Sequence, residues 1–180
     1  RLIKDMTAVE NLKPAFYRIE RYAWFDSLVQ TPRYRRAEAE ILAIIRETLG
    51  LLEIGWCADI AVEDLAYSVQ KKLELARALL CDPKILLLDG PSSGLNPAEA
   101  DEITDIVRLI RGRSHIGIIV IEHNMRVVME LSDRIVVMSR GSLIAQGSPA
   151  EIRGNEKVIS AYLGEKTLRR LTAEPDFLEA

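Results

Sequence analysis

The stretch Asp82-Pro83-Lys84-Ile85-Leu86-Leu87-Leu88-Asp89, continuing through Gly90-Pro91-Ser92-Ser93-Gly94-Leu95-Asn96-Pro97-Ala98-Glu99, decides the fold. Ile85 to Leu88 is a short unbroken apolar run that ends on an aspartate, which suits a strand buried on both faces. Asn96 is placed to cap a helix, with Pro97 at its first position and Glu99 completing a capping box. Ile103, Ile106, Val107 and Ile110 then recur at helical spacing as its buried stripe. Ile116 to Ile121 repeats the strand signal, and a short helix is expected around Met125 to Leu131. Ile135–Met138 and Leu143–Ala145 flank Ser139-Arg140-Gly141-Ser142, the pattern of a hairpin. Ser148-Pro149-Ala150-Glu151 opens another capped turn, and Val158 to Leu163 reads as a last short helix. Strand alternating with helix predicts an α/β fold with a mainly parallel sheet.

Upstream of that stretch the sequence reads helical. Thr7 and Glu10 form a capping-box pattern before Val9 and Leu12, and Pro14 and Pro32 are expected to break helices. Ile41, Leu42, Ile44, Ile45 and Leu49 predict a helix over Ala37–Leu49 with Gly50 as its stop. A second helix is expected over Gln70–Leu80, with Leu73, Ala76 and Leu80 on one face. Core packing explains both stripes. Trp24 and Trp56 fall in this helical part, where they suit either packing or a contact surface. Arg33, Arg35 and Arg36 around Tyr34 read as a solvated helix start sooner than as a phosphate or lipid patch.

Composition narrows the function classes. The 180 residues carry 24 basic and 27 acidic side chains, a net charge of −3, which gives no electrostatic case for nucleic acid. With 48% hydrophobic residues the chain is not of the disordered class. Cys57 and Cys81 have neither CxxC spacing nor Cys/His company, so a disulfide scaffold or zinc module is not expected, and a reducing compartment is. The longest stretch free of Asp, Glu, Lys and Arg is Gly141–Ala150, far short of the roughly 20 apolar residues of a spanning helix. No leader resembling a signal peptide is expected.

In parallel sheets ligands bind beyond the carboxyl ends of the strands. Asp89 ends one apolar strand and Glu122-His123 end the next, so chemistry is expected there. An acidic residue leaving a buried strand is costly unless it binds something such as a hydrated magnesium ion.

These residues resemble a known family. Leu73–Leu80 followed by Asp82–Asp89 is similar to the signature helix and Walker B strand of an ABC-transporter ATPase domain. Pro91-Ser92-Ser93-Gly94-Leu95-Asn96-Pro97 resembles its D-loop, and Ile121-Glu122-His123-Asn124-Met125 its H-switch. Leu95-Asn96-Pro97-Ala98-Glu99, Val128–Ile135 and Ala161-Tyr162-Leu163-Gly164-Glu165 resemble ATP-binding subunits of branched-chain amino-acid importers in particular. The resemblance covers roughly Arg1 to Glu165. It implies a partial P-loop NTPase: a helical subdomain including the signature over residues 1–80, the second half of the ATPase core over 81–165, and a loose tail over 166–180.

The resemblance also implies the chemistry. Asp89 would hold magnesium, and His123 would contact the γ-phosphate of ATP. Leu65-Ala66-Tyr67-Ser68-Val69 would be the signature loop, and Ser93, Gly94, Leu95 and Asn96 would act in the D-loop. Partners would be a second ATP-binding subunit, transmembrane permease subunits and, indirectly, a solute-binding protein. The chain would sit in the cytoplasm on the inner face of the plasma membrane.

The departures are as informative. The 180 residues contain no G-x-x-x-x-G-K-[ST] and no Q-loop glutamine, and Arg1 stands where an initiator Met would, so the sequence is expected to begin inside a longer reading frame or after processing. Gly90 occupies the position of the family's catalytic Glu, and loss of a positioned base typically costs about 10²–10⁴ in rate. Ala66 lacks the family's serine hydroxyl, Ser68 puts a side chain where the family has Gly, and Val69 replaces a Gln. The expected function is therefore that of an importer's ATP-binding subunit, incomplete and catalytically degenerate. The alternatives are a non-catalytic interaction half or decayed remnant, and the equivalent subunit of a urea or amide importer. Without the upstream half the strand surface is expected to stay exposed and the chain to be poorly soluble or partly molten.

Overall fold

The structure, a computed structural model, describes residues 2–16, 30–113 and 116–163. It divides into two compact units, Arg1–Glu122 and His123–Ala180. The boundary expected from motif order, between Leu80 and Cys81, lies inside the first unit. The expectations for Trp24 and for the tail over 166–180 fall outside the described residues.

The first unit opens with helix α1 (Ala8–Leu12). Its capping box is the expected one: the Thr7 hydroxyl accepts from the Glu10 amide, and the Glu10 carboxylate accepts from the Thr7 amide. The α-helix ends before Pro14, and a 3-10 turn, Lys13–Phe16, carries the chain on. Buried Asn11 closes the preceding loop, with its amide donating to the carbonyls of Ile3 and Thr7 while its oxygen accepts from the Ile3 amide. Residues 58–62 run alongside, Ala8 and Val9 donating to the carbonyls of Ile60 and Ala58.

Helix α2 (Pro32–Leu51) starts earlier than the apolar stripe suggests. Pro32 does not break this helix but begins it. A proline at the first position forgoes an N–H that would have had no helical partner, and the Thr31 hydroxyl in front accepts from the Tyr34 amide. Ala37, Ile41, Ile45 and Leu49 form its buried stripe. Gly50 does not stop it either, because the helix runs one residue further and the chain turns at Glu53 in left-handed geometry. Helix α3 (Tyr67–Leu79) begins three residues before the expected Gln70. Leu12, Ile45, Leu49, Leu52, Ile54 and Leu73 are fully buried and make the core of this helical part.

Strands β1 (Ile85–Asp89) and β2 (Gly117–Ile121) pair in parallel, with Ile85 opposite Gly117 and Asp89 opposite Ile121. Helix α4 (Pro97–Arg113) connects them, as the βαβ pattern requires. The expectation of strands buried on both faces is corrected by the structure. Leu86 is buried and Leu88, Ile118 and Val120 are half-buried, but the alternate residues Ile85, Leu87, Ile119 and Ile121 are exposed. A continuous apolar strand needs cover on both faces, and among the described residues only one face has it.

The second unit is a small layer of its own. Helix α5 (Met125–Leu131) is capped by Asn124, and β3 (Ile135–Ser139) pairs antiparallel with β4 (Ser142–Gly147). Arg140 and Gly141 both take positive φ, the two-residue turn whose twist suits a hairpin. Helices α6 (Pro149–Arg153) and α7 (Glu156–Leu163) follow, and Ser148 caps α6 through a reciprocal box with Glu151. Ile135, Val137, Ile152 and Val158 form the core, with Val128, Met129, Ile144 and Ala145 packed on it. Among the described residues no helix is long and apolar enough to cross a membrane.

Candidate functional site

The site is built where β1 ends. Asp89 is exposed at the carboxyl edge of the sheet, and Gly90 extends the ladder by one bond, its amide donating to the Ile121 carbonyl at 2.8 Å. Gly90 then takes φ +56°, a conformation L side chains rarely adopt, and the chain turns back on itself. The Ser93 amide donates to the Gly90 carbonyl and the Leu95 amide to the Ser92 carbonyl, so residues 90–95 form a closed double turn. It leads into α4 through the expected cap, Asn96 Oδ1 accepting from the Glu99 amide and Glu99 Oε2 from the Asn96 amide, each at 3.0 Å.

One carboxylate reaches this turn from the neighbouring strand. Glu122 Oε1 accepts from both the amide and the hydroxyl of Ser92, each at 2.7 Å. Ser92 is buried, so its two donors need a partner, and a charged acceptor is a strong one. The sequence places Glu122 at a strand end but offers no sign of this bond, because its partner lies 30 residues away in a loop.

The signature-like segment touches the same turn. Leu65 is buried, and Gln70 returns to its carbonyl at 2.8 Å. Ala66 is the N-cap residue of α3 and supplies no side-chain bond, as its methyl must. Tyr67 lies over Gly94: a Cβ at Gly94, whose φ is +79°, would come within 3.1 Å of the ring. Lys71 Nζ stands 5.5 Å from the centre of that ring. Ser68 and Val69 are half-buried on the first turn of the helix.

A cavity of about 180 Å³ opens beside Asp89, lined by Lys71, Glu74, Leu75 and Ala78 of α3, by the end of β1, and by Pro91 and Ile103. The structure thus brings together Asp89, Gly90, Ser92–Asn96 and the start of α3. A larger hollow of about 570 Å³ at the start of α2 is lined by Pro32, Arg33, Arg36, Ala37 and Glu40, and shares no residue with it. His123 is exposed and belongs to the second unit, where Asn124 caps α5.

Asp89 fits a role toward magnesium as one carboxylate. Among the described residues no three His, Cys, Asp or Glu side chains gather to cage a metal. Mg²⁺ is commonly bound through one or two carboxylates plus substrate phosphates, keeping several waters, so one aspartate at a strand end suits a nucleotide-borne ion. Phosphate-wrapping backbone of the glycine-rich kind is not among the 180 residues.

Comparison with known proteins bears on the family of the chain. A family model described as the branched-chain amino acid ATP-binding cassette transporter matches residues 142–166. The chain is 43% identical over 168 residues to the high-affinity branched-chain amino acid transport ATP-binding protein LivG of Salmonella typhimurium, covering 92% of this chain and 65% of that protein. It is 41% identical over 165 residues to the corresponding protein BraF of Pseudomonas aeruginosa, with the same coverage. The chain therefore spans just under two thirds of the length of the curated relatives it matches. Among solved structures, an ATP-binding cassette of an ABC transporter superposes with a TM-score of 0.72 at 26% identity, covering 88% of this chain and 63% of that one.

Proposed function

This chain belongs to the ATP-binding proteins of branched-chain amino-acid ABC transporters, and we propose that it serves there as a nucleotide-dependent interaction half and not as a hydrolytic one. The observation that carries this reading is the turn after β1: Asp89 stands exposed at the strand end, and the next residue is a glycine in left-handed geometry with no side chain to polarise water.

When bound, MgATP would supply the charge that Asp89 recognises, and a γ-phosphate is what the family resemblance assigns to His123. Asp89 would hold the magnesium-bound waters at the end of β1. The N-terminus of α3 would present backbone amides to a phosphate, weakened by Ala66 in place of a hydroxyl-bearing cap and by the Ser68 side chain. The turn Ser93–Asn96 would face a second ATP-binding subunit. Permease subunits, and through them a solute-binding protein, would receive the closure at the inner face of the plasma membrane. Branched-chain amino acids are the solute class that the relatives' names suggest, and urea or amide carriers are the runner-up.

The test is to mix the protein with a hydrolysis-competent ATP-binding subunit of the same type. MgATP is expected to promote a mixed dimer on size-exclusion chromatography, while this protein alone turns over MgATP no faster than buffer. Turnover by the protein alone would overturn the non-hydrolytic reading. Failure to associate at any MgATP concentration would overturn the interaction role.

A further inference from the structure

We propose that Glu122 is a positioning residue of this site: through Ser92 it holds the turn 90–96 against the end of β2, so that the D-loop-like segment and the residue preceding His123 move as one body. The inference rests on the functional reading above only for what the turn faces, not for how it is held.

The geometry is a grip at two consecutive levels. The last ladder bond runs from the Gly90 amide to the Ile121 carbonyl at 2.8 Å. Two residues beyond Gly90 and one beyond Ile121, Glu122 Oε1 takes both donors of Ser92 at 2.7 Å. Ser92 then passes the constraint on, because its carbonyl accepts from the Leu95 amide while the Gly90 carbonyl accepts from the Ser93 amide. Gly94, the residue under Tyr67, sits inside that second turn, so the contact between the turn and α3 depends on the same anchor. Ser92 is buried, and a buried amide and hydroxyl that lost their acceptor would each be left undersatisfied. Gly90 makes the anchor matter more. A residue free to populate many backbone conformations relies on its neighbours' bonds to hold the turn in one of them.

The experiment measures amide hydrogen exchange in the full chain for the parent, Glu122→Gln, Glu122→Ala and Ser92→Ala. Glu122→Ala is expected to speed exchange at the Ser92 amide by about tenfold or more, with Ser93 and Leu95 following, because one charged acceptor serves two donors. Glu122→Gln keeps an oxygen that can accept both bonds and is expected to stay within about threefold of the parent. Ser92→Ala retains the amide bond and loses the hydroxyl bond, so it should fall between them. Unchanged Ser92 exchange in Glu122→Ala, or a Gln variant as fast as the Ala variant, overturns the proposal. Should Glu122→Ala fail to fold, the ordering of parent, Gln and Ser92→Ala still decides it. The exchange readout uses no nucleotide, so it stands if MgATP-driven association fails. Where the parent does associate, Glu122→Ala should need more MgATP and Glu122→Gln should not. Equal MgATP dependence in all three would also overturn the positioning role.

Discussion

The helical part of the first unit and its strand pair are made of the same kinds of residue and end in opposite states. Around α1, α2 and α3, Leu12, Ile45, Leu49, Leu52, Ile54 and Leu73 are almost wholly withdrawn from water. On the open face of β1 and β2, Ile85, Leu87, Ile119 and Ile121 are 60%, 71%, 54% and 64% exposed. Apolar side chains gain from burial wherever they sit, at about 25 cal/mol per Å² removed from water. The helices find that gain within the described residues of this chain. Among the described residues the strands find it on one face only.

The largest expected effect tests that contrast directly. Leu49→Ala should destabilise the protein by about 2–5 kcal/mol, because it leaves a cavity in a closed core. Leu87→Ala, although the deletion is chemically identical, should stay within about 0.5 kcal/mol, since its side chain is mostly in water already. Denaturant midpoints of the two variants measure this. Equal losses would mean that the strand face is covered in solution by something, a second copy included.

Next come two glycines with the same backbone angle. Gly94 and Gly141 both take φ +79°, but a Cβ at Gly94 meets the Tyr67 ring at 3.1 Å while nothing lies within 4 Å of one at Gly141. Gly141→Ala should therefore cost only the backbone strain, about 1 kcal/mol. Gly94→Ala should cost about that again by pushing Tyr67 aside, and should quench or shift tyrosine fluorescence where Gly141→Ala does not. Should the two thermal shifts match, the contact between the signature-like segment and the turn is loose.

How much of this fold is legible in the amino-acid sequence depends on the range of each interaction. The boxes at Thr7, Asn96 and Ser148 are legible because each is a bond between residues three apart, and the hairpin turn at Arg140-Gly141 is equally local. Pro32 is legible too, once Thr31 before it is seen as a cap. A proline read alone is a breaker, whereas a proline behind a capping hydroxyl is a helix start. The open strand face is not legible, since an apolar run states what a strand wants to bury and not whether the chain provides it. Glu122 is visible as a strand-end acid, yet its hold on Ser92 depends on the parallel register that brings the two strand ends side by side. Tyr67 against Gly94 is likewise a contact between two segments whose proximity only the fold supplies.

A smaller effect should appear when the open face is made polar. Leu87→Ser with Ile119→Thr should leave the thermal midpoint nearly unchanged and lower the fluorescence of a hydrophobic dye to about half, since exposed apolar patches are what such dyes bind. The same substitutions should raise the concentration at which the isolated chain precipitates. A fall of the midpoint as large as that of Leu49→Ala would place these residues in a core after all.

The smallest expected effect is an acid one, and it touches the closed part before the open one. Glu10 has its carboxyl held below the ordinary glutamate range, chiefly by the Thr7 backbone bond and then by the Thr7 hydroxyl. Glu151 is lowered in the same way by the backbone and hydroxyl of Ser148. A carboxyl that is more acidic in the folded state binds fewer protons there than in the unfolded chain, so stability rises with pH across that interval. The contribution is complete above the ordinary glutamate range and disappears as pH falls through the lowered folded values. Thermal midpoints recorded downward from neutral pH should thus decline on the acid side of that range, and Glu10→Gln with Glu151→Gln should flatten part of the decline while lowering the neutral plateau slightly. Neither β1 nor β2 is held by a capping box of this kind, so the protection factors of the α1 amides, taken relative to the intrinsic exchange rate at each pH, should fall with acid before those of the two strands do. If the double variant titrates as steeply as the parent, the acid sensitivity belongs to other carboxylates and the two boxes serve only as neutral hydrogen-bond caps.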